Sequence, residues 1–201
     1  MGTKPKSSSK KQTAADKRAE DRRTAMITWA SFLAVPAVIA VLVGITITSE
    51  EDETTLTAAP DFTLTTTAGE QVSLDESLAD GDTLLYFSMG LGCDGCFAQI
   101  PELDDVLAER DIEMLSIMVD PPEPVAAEEE RFGVTQPILI DPDAQVSADY
   151  GMIGIYGHGD RPSHSFALVN QEGEVEWVRH YAEMFVEADA FVEELDAAVK
   201  G

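Results

Sequence analysis

The sequence predicts an α/β domain with a mixed sheet flanked by helices, preceded by one transmembrane helix. Three features point there. A charge-free run of 26 residues, Thr24 to Ser49, follows a basic N-terminal tail. Beyond it, short apolar runs alternate with segments whose apolar residues recur at helical spacing. The chain then closes on a hairpin and a last amphipathic stretch, an order of elements that suits a mixed sheet between helices. At 201 residues there is room for one ordinary domain plus appendages.

The first 23 residues are rich in Ser, Thr and Lys and read as a disordered tail. Residues 24–49 include Trp29, Phe32, Leu33, Val35, Val38, Ile39, Val41, Leu42, Val43 and Ile45. About 20 apolar residues cross a bilayer core as a helix. A cleaved signal peptide has a shorter apolar core, of roughly 7 to 15 residues, and ends on small residues. This run ends ITITSEEDE, so it is expected to remain as an anchor. Pro36 is tolerated in such a helix. Eight Lys and Arg precede the span and Glu50 to Glu53 follow it, which leaves the N-terminus cytoplasmic and the rest of the chain outside. Residues 50–58 form a polar linker and residues 59–201 the folded domain.

Ala59 to Leu64 begins the folded part, and Ala68-Gly69 is expected to turn it into a hairpin with Gln71 to Leu74. Thr83 to Ser88 reads as a buried strand. Cys93 then opens a helix with Phe97, Ile100, Leu103, Val106 and Leu107 on one side and Glu102, Asp105 and Glu109 on the other. Glu113 to Val119 is a second apolar strand, Val125 to Phe132 a helix, Ile138 to Ile140 a short strand and Ala144 to Tyr150 a helical turn or two. Phe166 to Val169 and Val175 to Val178 make a hairpin around Asn170 to Gly173. The last helix has Phe191, Val192, Leu195 and Val199 on one face.

Charge and cysteine usage narrow the function. The formal net charge is -25, and beyond residue 23 the chain has five basic and 35 acidic residues. Such a surface repels nucleic acid and anionic lipid headgroups. It suits a high-salt habitat, where screening acts within roughly 3 Å at 1 M, or a cationic partner. The two cysteines, Cys93 and Cys96, are too few for a disulfide scaffold or a four-ligand zinc site. No other cysteine lies beside the membrane segment to carry a lipid. Redox work is the expectation that remains, alongside half of a metal site or a purely structural disulfide.

A C-x-x-C that follows a strand and opens a helix has a physical purpose. Free N–H groups and the partial positive charge of the helix end stabilise a thiolate and lower the pKa of the first cysteine below roughly 8.5. Cys93 is therefore the expected nucleophile. Cys96, one turn on, is placed to attack a mixed disulfide and release the partner. Asp94 adds a negative charge that opposes the dipole, so a more reducing couple is expected.

Cys93-Asp94-Gly95-Cys96 with Pro101 five residues later resembles the thioredoxin pattern. The blocks Phe132 to Asp141, Ala148 to Gly151 and Phe166 to Gly173 are similar to those of the TlpA/ResA oxidoreductases and the AhpC/TSA peroxiredoxin group, a likeness running from about Ala59 to the C-terminus. This resemblance implies a thioredoxin-like sheet. The chain departs from the pattern in three places. Gly92 stands where a Trp usually precedes the first cysteine. His164 stands six residues before Asn170, where relatives keep a cis-proline or, in peroxiredoxins, an arginine. Either His164 faces the cysteines there, or Pro162 takes the place through a local shift. Tyr86 and Gly90 occupy the positions of the peroxiredoxin Pro and Thr, which disfavours direct peroxide reduction. A histidine facing Cys93 would support its thiolate or accept its proton.

The expected topology, the C-x-x-C at a helix start and the resemblance together lead to an expected extracytoplasmic thiol-disulfide oxidoreductase with Cys93, Cys96 and His164 as site residues. It acts on protein thiols or disulfides and needs no bound cofactor and no metal. Two alternatives stand beside it: a copper-binding thioredoxin-like chaperone using the thiolates and an imidazole, and a thiol peroxidase. His158 and His180 are expected to be solvated. Met89, Met114, Met118, Met152 and Met184 are read as packing residues.

Overall fold

The structure is a computed structural model that describes residues 56 to 199. The tail 1–23, the expected span 24–49 and most of the linker lie outside the described residues.

Strands β1 (Thr63–Thr66) and β2 (Gln71–Ser73) pair antiparallel, with Leu64 opposite Val72. The return strand stops one residue short of the expected Leu74. The Ser73 hydroxyl accepts the N–H of Glu76 at 3.3 Å and so starts a one-turn helix, α1 (Leu74–Leu78), that periodicity did not reveal. Strand β3 (Asp82–Phe87) leads through Ser88 to Gly92 into helix α2 (Asp94–Ala108), and β4 (Ile112–Met118) runs parallel to β3. Helix α3 (Pro122–Phe132), strand β5 (Leu139–Ile140), helix α4 (Gln145–Asp149) and a 3-10 turn at Ile155–Gly157 follow. Strands β6 (His164–Val169) and β7 (Val175–Tyr181) form the closing hairpin, and α5 (Ala188–Val199) is the last helix.

The sheet order is β2-β1-β5-β4-β3-β6-β7. The three middle strands β5, β4 and β3 are parallel, and antiparallel pairs extend the sheet on both sides. The sheet is therefore mixed, as expected. Its centre is buried on both faces. Leu84 and Tyr86 of β3 and Phe166 and Leu168 of β6 pack with Phe97, Ile100, Leu103 and Phe191 from α2 and α5. Leu85, Phe87, Ala167 and Val169 point the other way, onto Phe62, Leu74, Leu78, Tyr150 and Met152. Side chains alternate along a strand with period two, so an apolar run such as TLLYF fits a strand covered on both sides.

The two sheet edges differ. β2 has three residues, whereas β7 has seven with exposed Glu176, Val178 and Arg179. The chain entering the domain lies along the start of β7. Ala58 bridges Glu174, Val175 donates its N–H to the Thr57 carbonyl at 3.2 Å, and Ala59 donates to the Gly173 carbonyl at 2.9 Å.

Candidate active site

The parallel strands β3 and β4 end on the same side of the sheet, and the segment leaving β3 carries the two cysteines to the start of α2. Cys93 caps that helix. Its sulfur accepts the N–H of Cys96 at 3.2 Å, and its carbonyl accepts the same N–H at 3.1 Å. Cys93 and Cys96 are joined as a disulfide, with Cα atoms 5.3 Å apart. Cys93 is 5 % exposed and Cys96 is fully buried, so the first sulfur is the more accessible of the two. Pro101 lies within α2, where its missing N–H leaves the Phe97 carbonyl without the usual helical donor.

The charge of Asp94 does not stand alone as the sequence suggested. Arg131 of α3 donates two hydrogen bonds to its carboxylate, at 3.1 and 2.9 Å, and a third to Glu128 at 2.8 Å. The Arg131 hydrogen bond comes first among the causes that hold the Asp94 carboxyl below its usual range. A guanidinium this close opposes the field that Asp94 would exert on Cys93. The partner lies 37 residues away in sequence, beyond any local pattern.

Two contacts fix the loop in front of Cys93. The Asp120 carboxylate, just past β4, accepts the Leu91 N–H at 2.9 Å and pairs with Arg161. Arg161 also donates from Nε to the Met89 carbonyl at 3.1 Å. Gly90 is required between them. A Cβ there would come within 2.1 Å of the Asp120 carboxylate, and the residue adopts a left-handed φ of 78°. Neither Asp120 nor Arg161 was singled out from the sequence. The available signals were an Asp directly after a buried strand and an Arg directly before Pro162.

A strap of chain between β7 and α5 covers the cysteines. Gln99 of α2 holds it at two points, accepting the Val186 N–H at 2.7 Å and donating to the Val186 carbonyl at 3.0 Å. Further along, the Glu102 carboxylate accepts the Ala188 N–H at 3.4 Å. The Met184 carbonyl sits where a Cβ on Gly95 would be 2.6 Å away, so the glycine between the cysteines permits the close approach. The Met184 thioether lies 4.0 Å from the Cys96 sulfur. Met184 is thus part of the site's cover, whereas Met114, Met118 and Met152 are core residues.

His164 opens β6, fully buried, on the sheet face shared with Tyr86 and α2. Its Nδ1 is 3.0 Å from the Tyr86 hydroxyl and its Nε2 is 3.2 Å from Gln99 Oε1. The Tyr86 hydroxyl also donates to the Cys96 carbonyl at 3.1 Å. His164 therefore reaches Cys96 through one intervening side chain, with both ring nitrogens taken up by Tyr86 and Gln99 and not by sulfur. Burial lowers its pKa to about 4 and pushes that of Tyr86 well above its ordinary value. Pro162 is buried beside it, opposite Ile153, and the described residues contain no cis peptide bond. His180 is half-buried, with Nδ1 2.8 Å from the Ser165 hydroxyl, and His158 is half-buried in the loop before Pro162.

The polar roles of Tyr86 and Gln99 escaped the sequence reading. The resemblance placed Tyr86 where peroxiredoxins carry a Pro, but gave its hydroxyl no partner. Gln99 carried a signal, since it lies three residues after Cys96 and four before Leu103, on the buried side of α2.

Comparison with known proteins agrees with this architecture. The thiol-disulfide oxidoreductase ResA of Geobacillus kaustophilus is 32 % identical over 124 residues, which are 60 % of this chain and 66 % of that protein. ResA of Geobacillus thermodenitrificans is 34 % identical over 98 residues, 47 % of this chain and 55 % of that one. The chain thus spans between about half and two thirds of the length of the curated relatives it matches. Among solved structures, peroxidoxin BcpB from Mycobacterium tuberculosis superposes with a TM-score of 0.60 at 23 % identity, covering 73 % of this chain and 96 % of that one, a likeness of fold. The Redoxin family description matches residues 55–190, from the strand-entering segment to the first turn of α5. With its mixed sheet and its paired cysteines both inside that match, the chain belongs to the Redoxin family.

Proposed function

We propose that this chain is an extracytoplasmic thiol-disulfide oxidoreductase, anchored by residues 24–49, that exchanges the Cys93–Cys96 disulfide with thiols and disulfides of protein partners. The observation that carries the reading is the disulfide itself, set at the N-terminus of α2 with Cys93 as the cap and the more accessible sulfur. The relatives named as thiol-disulfide oxidoreductases support it.

In the reduced protein, the Cys93 thiolate is stabilised by the helix end and the Cys96 N–H. It attacks a partner disulfide, forming one S–S bond and releasing one partner sulfur as a thiolate. Cys96 loses its proton and attacks the Cys93 sulfur of the mixed disulfide. The second partner sulfur then leaves, taking up a proton, and the partner is reduced by two electrons as Cys93–Cys96 is oxidised. His164 joins this site through Tyr86, as a positioning residue and not in contact with sulfur. The same coupling weighs against copper binding, because a Cu(I) ligand needs a free ring nitrogen and both are engaged.

The test is a trapping experiment on the reduced protein. Cys96→Ser should accumulate mixed disulfides with exported proteins or a model protein disulfide, and Cys93→Ser should not. Equal trapping by both variants would overturn the assignment of roles. Consumption of hydrogen peroxide at the same rate as protein disulfides would point to the thiol peroxidase reading.

A further inference from the structure

Residues 182–187, the strap between β7 and α5, are short and tied down at both ends. Tyr181 of β7 donates its hydroxyl to Glu194 of α5 at 2.7 Å, and Arg179 pairs with the same carboxylate at 2.7 Å. The elements that bound the strap are thus joined to each other. Near its end, the Val186 N–H and carbonyl both bind the Gln99 amide, at 2.7 and 3.0 Å. That amide has one orientation, with Oε1 accepting and Nε2 donating. Gln99 is fully buried, and His164 Nε2 lies 3.2 Å from the same Oε1, so the latch is itself held in place.

This bracing fixes where Met184 lies. Its carbonyl would be 2.6 Å, and its Cβ 3.3 Å, from a Cβ added at Gly95. Its thioether reaches to 4.0 Å from the Cys96 sulfur. Met184 therefore spans from the backbone between the two cysteines to the second sulfur. Under it Cys96 is fully buried, whereas 5 % of Cys93 stays open. Met184 is itself half-buried, with one side turned to solvent.

The cover matters because a disulfide can be opened at either sulfur. When a dithiol donor attacks Cys93, a donor sulfur bonds to the Cys93 sulfur, the Cys93–Cys96 bond breaks and Cys96 leaves as a thiolate. The second donor thiolate then attacks the first donor sulfur. The donor closes as a disulfide and Cys93 leaves in turn. Two electrons pass from donor to protein, and the two donor protons end on the cysteine sulfurs or in water. Attack at Cys96 would give the same net reaction through the opposite mixed disulfide. Chemistry alone does not choose between the two routes, so access has to.

Resting on the oxidoreductase reading, we propose that Met184, held over the C-x-x-C turn by the Gln99 latch, confines exchange to Cys93 by closing the approach to the Cys96 sulfur. Gln99 is then a positioning residue that acts through the strap. Gly95 is the residue whose missing side chain lets the strap come down.

The test measures exchange at each sulfur separately. In the full-length protein, Cys93→Ser and Cys96→Ser each leave one thiol, and mass spectrometry follows its mixed disulfide with oxidised glutathione against pH. On the high-pH plateau, where the thiolate is fully formed, the rate reports access and not pKa. Met184→Ala, placed in both backgrounds, should raise the ratio of the Cys96 rate to the Cys93 rate by about tenfold or more. Met184→Leu, which keeps the bulk of the side chain, should hold the ratio near that of the native strap. Gly95→Ala perturbs the same contact from the other side, since its new methyl displaces the Met184 carbonyl and lifts the strap with Met184 intact. It too should raise the ratio, and it serves if Met184→Ala does not fold. An unchanged ratio would overturn the proposal, including the case in which both sulfurs speed up equally through general loosening. Glutathione stands in for the natural partner here. Failure of the trapping experiment, with the ratio shifted as expected, would therefore overturn the substrate reading alone.

Discussion

A buried histidine should make this domain sensitive to mild acid. His164 is fully enclosed, and burial lowers its pKa from 6.5 to about 4 in the folded, oxidised protein. The unfolded chain binds the proton more readily than the folded one, so stability falls as the pH drops through 6.5 and the loss levels off below about 4. At roughly 1.36 kcal/mol per pH unit, that difference corresponds to about 3 kcal/mol at the acid limit and about 2 kcal/mol at pH 5. Many carboxylates titrate over the same range, so the measurement must be a difference. Urea unfolding of the oxidised wild type and of His164→Gln, each at pH 7.5 and pH 5, gives two losses of stability. The wild type should lose about 2 kcal/mol more than the variant, which has no group at position 164 to protonate. Parallel profiles would refute the reasoning and mean that water or a local opening hydrates the imidazole without global unfolding.

Two further predictions concern charge and topology. Arg131→Ala leaves the Asp94 carboxylate uncompensated and should raise the pKa of the Cys93 thiol, whereas Asp94→Asn frees the guanidinium and should lower it, both shifts shrinking with added salt. Iodoacetamide alkylation of the reduced protein against pH reads both, and shifts of the same sign would sink the ion-pair argument. Reporter fusions joined after Ser49 should be active only outside the cytoplasm, as the eight basic residues before the span require; cytoplasmic activity would refute the anchor's orientation.

How much of this was legible in the sequence depended on how far each partner lay along the chain. β3 was readable because Thr83 to Phe87 is an apolar run buried on both faces, and α2 because Phe97, Ile100, Leu103 and Leu107 keep helical spacing. Cys93 as a helix cap followed from the strand, turn and helix around it. Helix α1 escaped because five residues hold too little periodicity to outweigh the strand before them, and only the cap at Ser73 marks its start. The site's polar partners escaped for a different reason. Tyr86 and His164 are 78 residues apart, and the hydroxyl becomes meaningful only when β3 and β6 pair antiparallel. The parity of β6 was nonetheless available: His164, Phe166 and Leu168 share a face, so His164 had to point toward whatever covers Phe166, which is α2 and α5. Asp94 was given its sign of charge correctly but not its neutralising arginine, because α3 returns to α2 only in three dimensions.

The unequal sheet edges carry a consequence for self-association. An open strand edge offers unpaired N–H and carbonyl groups as a template on which another chain can add a strand, the route by which many sheets aggregate. β2 is too short to offer more than a few such groups. β7 is long enough, but residues 57 to 59 occupy its beginning, and Glu176 and Arg179 stand exposed along the rest. A chain pairing there would have to strip water from both charges. The described domain therefore presents its most regular backbone in a form that resists growth into a larger sheet by strand addition.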